Sequence, residues 1–410
     1  MVKWRGVRVL VTTRGSSGHL GPLVPFARAC ARAGHEVVVA AQRQHAANVR
    51  RAGLAFDPVD DPPDDEWMPL MGSFAELDLE TADSLMIGEF FAGIDLRAEL
   101  PGLRAIVARD RPDLILRESW EFGSTLVAEL EGIPIARVGL GLASVEGRSI
   151  EAAAPEVDAA RAVLGLPRDP GGRRLAEAPY LTAMPDLLED PGVAAPARAH
   201  RFRFAVDPGA RPLPEWWPGN DGPLVYVTFG SVAAGSHLPY YPAVYRAAID
   251  ALAALPLRVL VTIGDGARDA GDLGRTPPNV HVETWVPHDD VAPHAAAIVS
   301  HGGYGTTLGS LAHGVPLVVL PLFSLDQWAN AGAVVRAGAG VSVGGAPGAR
   351  PVLGPPDPGT YGDLAGAVTR VLDDPAYRRG AERVADAIGS LPPVEASVSV
   401  LEAIADRRGS

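Results

Sequence analysis

The stretch "HGGYGTTLGSLAHGVP", residues 301–316, decides how the second half of this chain folds. The apolar run "AAAIVS" precedes it and "LVVLPLF" follows it. Glycine costs about 0.5–1 kcal/mol per residue inside regular structure, so glycines at this density indicate backbone that has to stay uncovered. The pattern predicts a strand, a turn "HGGYG", a helix "TTLGSLAHG" and a second strand.

A turn of this kind is suited to an anion. Its glycines let backbone N–H groups approach closely, and a helix N-terminus adds about half a unit of positive charge. His301 ends the strand, Gly303 lies in the turn, and Thr306 and Thr307 offer hydroxyls in the first helical turn. The stretch therefore predicts a phosphate or diphosphate site, with a tight turn capped by Thr306 as the alternative.

The same unit begins the chain. A β-rich run "VRVLVTT" (7–13) leads through the loop "RGSSGHLGP" into a helical pattern "LVPFARACARAG" (23–34) and a strand "HEVVVAA" (35–41). Strand, helix and strand in this order indicate parallel pairing with a right-handed crossover. Further strands are predicted at 111–119, 133–140, 223–231, 257–264, 280–287, 295–303 and 315–323.

Two such units predict an α/β protein with two Rossmann-like, doubly wound domains facing across a cleft. A chain of 410 residues is also too long for one ordinary core. Residues 207–222, rich in Pro and Gly, read as the linker between a domain 1–206 and a domain 223–385. Residues 386–410 are expected to form a C-terminal helix that packs back on the first domain. Residues 146–174 are expected to be helical in part and to end in a Gly/Pro/Arg loop that forms a surface flap.

Composition narrows the classes of function. The net charge of −13 argues against a nucleic-acid partner, because phosphate backbones need clustered positive charge. The single Cys30 cannot form an internal disulfide, which favours a reducing cytoplasm. The apolar runs are shorter than a membrane span, so we expect no membrane insertion.

The segment 285–331 resembles the donor-binding signature of family 1 glycosyltransferases, which have the two-domain GT-B fold. The residues that match are Trp285, Pro287, His301, Gly303, Thr307, Gly314, Pro316, Pro321, Asp326, Gln327 and Asn330. The stretch "RGSSGHLGPLVPFARACARAGHEV" (14–37) resembles the first loop and helix of that family. Within it, the chain looks most like bacterial enzymes of antibiotic, macrolide and polyketide biosynthesis.

This resemblance assigns His19 as the general base that takes the proton of an acceptor hydroxyl. The family often has an aspartate at the end of the strand "PDLILRES", whereas this chain has Glu118, after Arg117. Two alternatives follow. Either Glu118 orients His19 with a shifted geometry, or Arg117 neutralises Glu118 and His19 acts alone.

The resemblance also divides the second domain into subsites, making it the nucleotide-sugar domain and the first the acceptor domain. Trp285 is expected to stack on the nucleobase, unless it belongs to the core, and the backbones of Val286 and His288 to read the edge of the base. The diphosphate would be held by Ser231, His301, Gly303, Thr306 and Thr307, and the sugar by Asp326 and Gln327. Gly309 stands where UDP-using relatives often carry a ribose-binding glutamate, so we expect dTDP-sugars, with UDP-sugars left open.

The acceptor is expected against the first domain, where Trp67, Met86 and Phe90 lie in an aromatic and Met-rich segment and Trp120 follows Glu118. An ordinary core is the alternative for at least half of that segment. The sequence contains no Asp-x-Asp. The resemblance therefore implies metal-independent, inverting transfer with no cofactor beyond the co-substrate.

Two other functions remain open at this point. One is a catalytically silent partner that binds nucleotide sugars for another transferase. The other is a GT-B-fold nucleotide-sugar epimerase. The sequence does not identify the sugar, the hydrophobic aglycone, O- or C-linkage, or the oligomeric state, a homodimer included.

Overall fold

The structure is a computed structural model that describes residues 6–14, 16–196, 198–207, 211–231, 233, 241–264, 270–344 and 363–406. Parts of all four predicted segments lie outside the described residues: 1–5, 15 and 197 of the first domain, 208–210 of the linker, 232, 234–240, 265–269 and 345–362 of the second domain, and 407–410 at the C-terminus. The chain forms two α/β lobes, each built on one parallel sheet.

The strands of the N-terminal lobe are β1 (Arg8–Thr12), β2 (Glu36–Gln42), β3 (Ala55–Val59), β4 (Leu114–Glu118), β5 (Ile135–Val138), β6 (Tyr180–Thr182) and β7 (Ala199–Arg201). They pair in the order β3-β2-β1-β4-β5-β6-β7, and every pairing is parallel. The order of the strands in the sheet changes direction between β1 and β4. The crevice for a ligand therefore opens beyond the carboxyl ends of these two strands.

The strands of the C-terminal lobe are β8 (Leu224–Thr228), β9 (Arg258–Thr262), β10 (Val280–Glu283), β11 (Ala295–Ser300), β12 (Leu317–Val319) and β13 (Gly340–Ser342). Their order is β10-β9-β8-β11-β12-β13, again all parallel. The prediction of two Rossmann-like, doubly wound sheets is confirmed. The equivalent crevice opens beyond β8 and β11.

Helices cover both faces of each sheet. Those of the N-terminal lobe are α1 (Ser17–Arg32), α2 (Ala46–Arg51), α3 (Asp64–Ser73), α4 (Leu79–Leu85), α5 (Leu96–Asp110), α6 (Gly123–Glu131), α7 (Ala143–Val163) and α8 (Arg173–Glu177). Those of the C-terminal lobe are α9 (Ala243–Leu252), α10 (His288–Val291), α11 (Tyr304–Ala312), α12 (Leu325–Arg336), α13 (Leu364–Asp373) and α14 (Pro375–Ser390), followed by α15 (Ser397–Ala405). Short 3₁₀ turns lie at Arg43–His45, Phe74–Glu76, Asp186–Leu188, Ala270–Leu273, Ala292–His294 and Val394–Ala396.

Four strands were not predicted from the sequence: β3, β6, β7 and β13. β3 contains a proline, Pro58, and lies at the edge of its sheet, where a missing backbone donor is tolerated. The other three are three residues long, too short for an apolar run to be recognised. The predicted strands exist, with ends trimmed by one to several residues.

The first helix begins earlier than predicted. The turn signals Gly18, Gly21 and Pro22 suggested a loop as far as residue 22, yet α1 starts at Ser17. Burial of the face carrying Leu20, Leu23, Phe26 and Cys30 overrides those signals. As a consequence His19 lies on the first turn of a helix and not in a flexible loop.

The helical segment that carries the predicted acceptor aromatics is unusual. From α4 the chain continues into a ten-residue π-helix, Met86–Asp95, and then directly into α5. π-Helical insertions are rare and frequently accompany functional sites. This one turns Phe90 and Phe91 into the N-terminal lobe, where both are buried.

Residues 146–174 do not form a surface flap. Most of them belong to α7, a 21-residue helix that packs along the π-helix. Its polar residues Glu146, Ser149 and Arg161 are buried, and the ion pair of Glu146 with Arg137 lies in the interior. The apolar face was hard to recognise because polar residues occupy part of it.

The lobes touch through several segments. Leu142, Met184 and Leu188 of the N-terminal lobe share an apolar cluster with Leu308 of α11. The Tyr304 hydroxyl accepts the backbone N–H of Ala183 at 3.3 Å. These contacts hold the two carboxyl-end crevices face to face.

The C-terminal segment joins the lobes a second time. Helix α14 packs on the C-terminal lobe through Val384 and Ile388, whereas α15 buries Leu401 and Ile404 against α1 and the first sheet. The predicted limit of the second domain, residue 385, falls inside α14, and the chain changes lobes after Ser390. The domain limits as a set stay a prediction.

Within the described ranges, one stretch, Pro375–Ala405, is long and apolar enough to count as a candidate membrane span by length and composition alone. Pro392 and Pro393 break it between α14 and α15. Because Val384 and Ile388 are buried in one lobe and Leu401 and Ile404 in the other, we interpret the stretch as packing helices.

Candidate active site

A histidine and a glutamate meet where β1 and β4 end. His19 Nδ1 lies 2.9 Å from Glu118 Oε1, and the side chain of Glu118 is fully buried while that of His19 is 15% exposed. His19 stands on the first turn of α1, and Glu118 is the last residue of β4. Adjacent parallel strands bring their carboxyl ends together, so residues 99 positions apart become neighbours.

The charge of Glu118 is maintained by its neighbours. Burial raises the pKa of this carboxyl group, but the charge and hydrogen bond of His19 and the backbone N–H of Trp120 outweigh it, and the net pKa lies below the usual value. Glu118 is therefore a carboxylate that receives the Nδ1 proton of His19. This fixes the tautomer and leaves Nε2 as an acceptor.

Arg117 does not pair with the Glu118 carboxylate. Its Nη1 donates to the backbone carbonyls of Glu118, Ser119 and Glu121 at 2.9, 2.9 and 2.8 Å. Arg117 thus holds the shape of the loop after β4. Of the two alternatives drawn from the sequence, this geometry matches a Glu118–His19 pair and not a lone His19.

Aromatic rings surround the imidazole. Phe91 and Trp120 each meet the His19 ring edge to face, with centroids 5.8 and 5.4 Å away, and the two rings stack on each other at 5.8 Å. Trp120 is itself held by a 3.0 Å hydrogen bond from Nε1 to Ser149 Oγ on α7. Phe91, from the segment predicted to bind the acceptor, and Trp120, predicted for the acceptor pocket, therefore pack against the His19 ring.

A cavity of about 460 Å³ opens in front of His19. Trp67 and Phe90, both predicted for the acceptor pocket, line it. Met86 and Trp120 are not among its lining residues: Met86 packs half-buried between two apolar clusters, and Trp120 lies beside the dyad. The remaining lining residues are Arg14, Ser16, Gln42, Gln44, His45, Asp61, Pro62, Asp64 and Phe91.

In the C-terminal lobe, glycines form a cradle for His301. A Cβ atom on Gly230 would lie 2.8 Å from the imidazole Cε1, and one on Gly303 would lie 2.6 Å from Nε2. Gly230 also has a φ of +76°, which favours glycine. These two glycines are needed because the ring of His301 fills the space of their missing side chains.

His301 is neutral at physiological pH. Burial lowers its pKa to about 4, and its Nδ1 has no hydrogen-bond partner among the described residues. Nearby, two further buried polar atoms lack partners in the described part of the chain, Thr307 Oγ1 and Asn330 Oδ1. Asn330 Nδ2 donates to the Gly302 carbonyl at 2.8 Å and so fixes the turn.

Helix α11 starts at Tyr304 with Gly303 as its N-cap, two residues earlier than predicted. Backbone N–H groups of a first helical turn have no intrahelical acceptor. Gly303, Thr306 and Thr307 thus stand around a helix mouth, and Ser231 follows β8 at the neighbouring strand end, where it is exposed. The structure brings together these residues, which the sequence assigned to the diphosphate.

The predicted base site lies at the end of β10. Trp285 is 57% exposed, so the core alternative for this residue is wrong. Val286 packs partly buried against the apolar cluster shared by the lobes. Burial lowers the pKa of His288 to about 4, and a Cβ on Gly309 would lie only 3.0 Å from its ring.

The two predicted sugar ligands are already engaged. Gln327 is 2% exposed, and its Oε1 accepts the backbone N–H groups of Leu322 and Phe323 at 2.8 and 3.2 Å. That carbonyl oxygen therefore shapes the loop after β12, and only the amide nitrogen is left for a sugar. Asp326 accepts from Ser324 Oγ at 2.5 Å, and burial, together with the nearby Asp83 carboxylate, raises its pKa to about 7.

Asp83, a residue of the N-terminal lobe that the sequence reading did not single out, reaches across the cleft. Its Oδ1 lies 3.1 Å from Ser324 Oγ and 3.1 Å from the backbone N–H of Leu325, at the start of α12. No signal in a single sequence links two positions 241 residues apart. In contrast, Arg14 lies two residues after the end of β1, and the rule that ligand sites lie at strand ends could have pointed to it.

In the part of the chain that the structure describes, no three His, Cys, Asp or Glu side chains are grouped to hold a metal ion. Around the helix mouth, positive potential comes from backbone N–H groups.

Comparisons with known proteins agree on one family. Residues 28–162 match the N-terminal domain, and residues 246–404 the C-terminal domain, of proteins described as erythromycin biosynthesis protein CIII-like. The chain is 32% identical over 385 residues to an L-demethylnoviosyl transferase of Streptomyces niveus, with 93% of each chain covered. It is 30% identical over 440 residues to a 4'-demethylrebeccamycin synthase of Lentzea aerocolonigenes, covering 97% of this chain and 100% of that one.

Solved structures give the same result. The glycosyltransferase SsfS6 of Streptomyces sp. SF2575, complexed with thymidine diphosphate, superposes with a TM-score of 0.71 at 25% identity, covering 97% of this chain and 99% of that one. The two-lobe architecture is the GT-B fold.

Proposed function

Since the chain belongs to the erythromycin biosynthesis protein CIII-like family and is a glycosyltransferase, we propose that it transfers a sugar from a dTDP-sugar to a hydroxyl group of a hydrophobic natural-product aglycone, with His19 as the general base. The single observation that carries the proposal is the 2.9 Å contact of His19 with Glu118 at the mouth of the 460 Å³ cavity.

Proton transfer follows from the dyad. Glu118 holds the Nδ1 proton, so Nε2 of His19 accepts the proton of the acceptor hydroxyl as the oxygen attacks. The imidazolium that forms is stabilised by the Glu118 carboxylate at 2.9 Å. Phe91 and Trp120 limit rotation of the ring and restrict water around it.

The bond changes balance without a metal. The acceptor oxygen forms a bond to C1 of the sugar, the bond from C1 to the diphosphate oxygen breaks, and the proton remains on His19. dTDP leaves from the face opposite to attack, so the configuration at C1 inverts. The charge that develops on the leaving diphosphate meets the N-terminus of α11 and the side chains of Thr306 and Thr307.

The choice of dTDP rests on Gly309. A Cβ atom at this position would lie 3.0 Å from the His288 ring, so a ribose-binding carboxylate here would require that ring to shift. A 2′-deoxyribose has one hydroxyl group fewer to satisfy. Support also comes from the thymidine diphosphate bound to SsfS6 and from a TDP-daunosamine transferase of Streptomyces peucetius, 27% identical to this chain.

The test is titration of the full chain with dTDP and UDP by calorimetry, followed by incubation with a panel of dTDP- and UDP-sugars and mass spectrometry of nucleotide release. We expect tighter binding of dTDP and release of dTDP only when an acceptor is present. Tighter UDP binding would remove the donor assignment. Tight dTDP binding with no transfer to any aromatic or macrolide acceptor would favour a silent binding partner.

A further inference from the structure

The cavity in front of His19 contains a cation that the proposed reaction does not use. Arg14 lines the cavity and is only 8% exposed. Among the described residues its Nη1 is buried and has no hydrogen-bond acceptor. A buried guanidinium donor without a partner costs free energy unless a ligand supplies the acceptor.

The position of this guanidinium is well determined. Its Nε lies 2.8 Å from Asp95 Oδ2, and Gln42 Nε2 binds the other oxygen of Asp95. Its Cζ lies 3.8 Å from the centroid of the Phe91 ring. Held by an ion pair on one side and an aromatic face on another, Arg14 is a fixed donor.

Arg14 and the base are close enough for one ligand to reach both. The Phe91 centroid is 3.8 Å from Arg14 Cζ and 5.8 Å from the His19 centroid. Taken end to end, these distances place the two groups at most 9.6 Å apart. A fused two- or three-ring molecule is long enough to bridge a distance up to this limit.

The charged side chains of the cavity indicate whether the ligand oxygen that Arg14 binds is neutral or anionic. Asp61 and Asp64 also line it, and Asp61 Oδ1 is a buried acceptor with no partner in the described residues. Burial, aided by the charge of Arg14, lowers the pKa of His45 to about 4, so His45 adds no positive charge. The negative charge of Asp95 balances the positive charge of Arg14. An anionic ligand would meet two unbalanced carboxylates, whereas a neutral carbonyl oxygen would not.

We propose that Arg14 forms an acceptor subsite for a neutral carbonyl oxygen, so that the acceptor is a planar aromatic ketone or quinone whose hydroxyl group faces His19. Trp67 and Phe90 line the cavity with aromatic surface that suits such a ring system. This inference rests on the proposed function and names the substrate class of the same site.

The test uses equilibrium binding of defined probes to the full chain without donor, measured by calorimetry. The probes are 3-acetyl- and 6-acetyl-2-naphthol, the matched 3-ethyl and 6-ethyl compounds, and 6-hydroxy-2-naphthoate. We expect at least one ketone to bind about tenfold or more tighter than its ethyl analogue, since hydrogen bonds to charged donors are the strong ones. The carboxylate should bind more weakly than that ketone.

The variant Arg14→Met removes the donor and keeps the length of the side chain, and we expect it to lose the preference for the ketone. Because it leaves Asp95 buried without a cation, Arg14→Met/Asp95→Asn serves as the second variant. Arg43→Gln is the matched control, an arginine of the same lobe that is 63% exposed and does not line the cavity. It should retain the full preference.

A ketone preference that is absent in the natural chain, or that survives in both Arg14 variants, overturns the proposal. Tighter binding of the carboxylate than of either ketone overturns the choice of a neutral oxygen. A merely structural Arg14 would lower affinity for all probes equally. Since no donor is used, a chain that transfers sugar and depends on His19 but shows no ketone preference refutes this inference and leaves the proposed function standing.

Discussion

The β1–α1 and β11–α11 junctions are the same supersecondary unit used twice, and they treat their histidines in opposite ways. His19 lies on the helix side of its turn, 2.9 Å from a carboxylate and open to a cavity. His301 lies on the strand side of its turn, boxed in by Gly230 and Gly303, with its pKa lowered to about 4 by burial. His19 has a carboxylate partner that stabilises its protonated form, whereas burial destabilises the protonated form of His301.

The difference shows that the residue contributed by the neighbouring strand, and not the strand–turn–helix motif itself, determines whether such a histidine can carry a proton. Glu118 is supplied by β4, the strand next to β1, whereas at the corresponding place in the second lobe β8 supplies Gly230, which has no side chain. Under the proposed function, the same backbone unit would therefore provide a proton acceptor in one lobe and a fixed, neutral contact for a diphosphate in the other.

The largest effect is expected from His19→Ala. Loss of a general base should lower kcat by about 10²–10⁴-fold, while the affinity for dTDP, measured by calorimetry, should not change because the binding residues lie in the other lobe. His294→Ala, an exposed histidine, is the control and should leave kcat unaltered. Turnover near the wild-type rate in His19→Ala would show that the two junctions do not differ as described.

Glu118→Gln should lower kcat by roughly 10²-fold, because the amide keeps the volume but cannot stabilise the imidazolium. Glu118→Asp restores the charge one bond further from His19, and we expect an intermediate rate. Steady-state kinetics with saturating donor measures both. Equal rates for Glu118→Gln and the natural chain would assign His19 a solitary role.

Gly303→Ala should weaken dTDP binding about tenfold, since the new Cβ would lie 2.6 Å from His301 Nε2 and displace the ring. Gly305→Ala is the matched control in the same turn, where nothing lies within 4 Å of the added atom. It should bind dTDP as the natural chain does. If both variants lose affinity for dTDP to the same extent, the importance of Gly303 does not come from the space it leaves for the His301 ring.

The smallest effect concerns stability and pH. The His301 pKa is lowered from 6.5 to about 4 on folding, so its contribution to stability is fully present above pH 6.5 and is lost as pH falls toward 4. His301→Asn should therefore show a shallower fall of Tm between pH 6.5 and 4, by roughly 2–4 °C, in scanning calorimetry. An unchanged slope would mean that His301 is solvated.

Much of the fold could be predicted because parallel strands buried on both faces leave continuous apolar runs, and these runs located the strands of both sheet centres. Elements that depend on their neighbours were missed. The three-residue strands β6, β7 and β13 are defined by pairing with neighbouring strands and not by an apolar run of their own. Helix α1 extends through Gly18 and Pro22 because its buried face is fixed by the sheet.

The site shows the same division. His19 and Glu118 were found through the resemblance to glycosyltransferases, and His301 through the glycine-rich turn that follows a strand. The engagement of Gln327 by its own loop, the reach of Asp83 across the cleft and the unpartnered donor of Arg14 were not. Each of these depends on a distance between segments that are remote in sequence or on the direction of a side chain.

The sequence by itself determined two doubly wound lobes, because periodicity and turn chemistry are local properties of the chain. It also determined the glycosyltransferase family, because the matching motifs lie in short continuous segments. Only the tertiary structure decided that Glu118, and not Arg117, is the partner of His19, and that His301 is held neutral. Those outcomes depend on burial and on angles between side chains brought together by folding, and local sequence does not encode either of them at a single position.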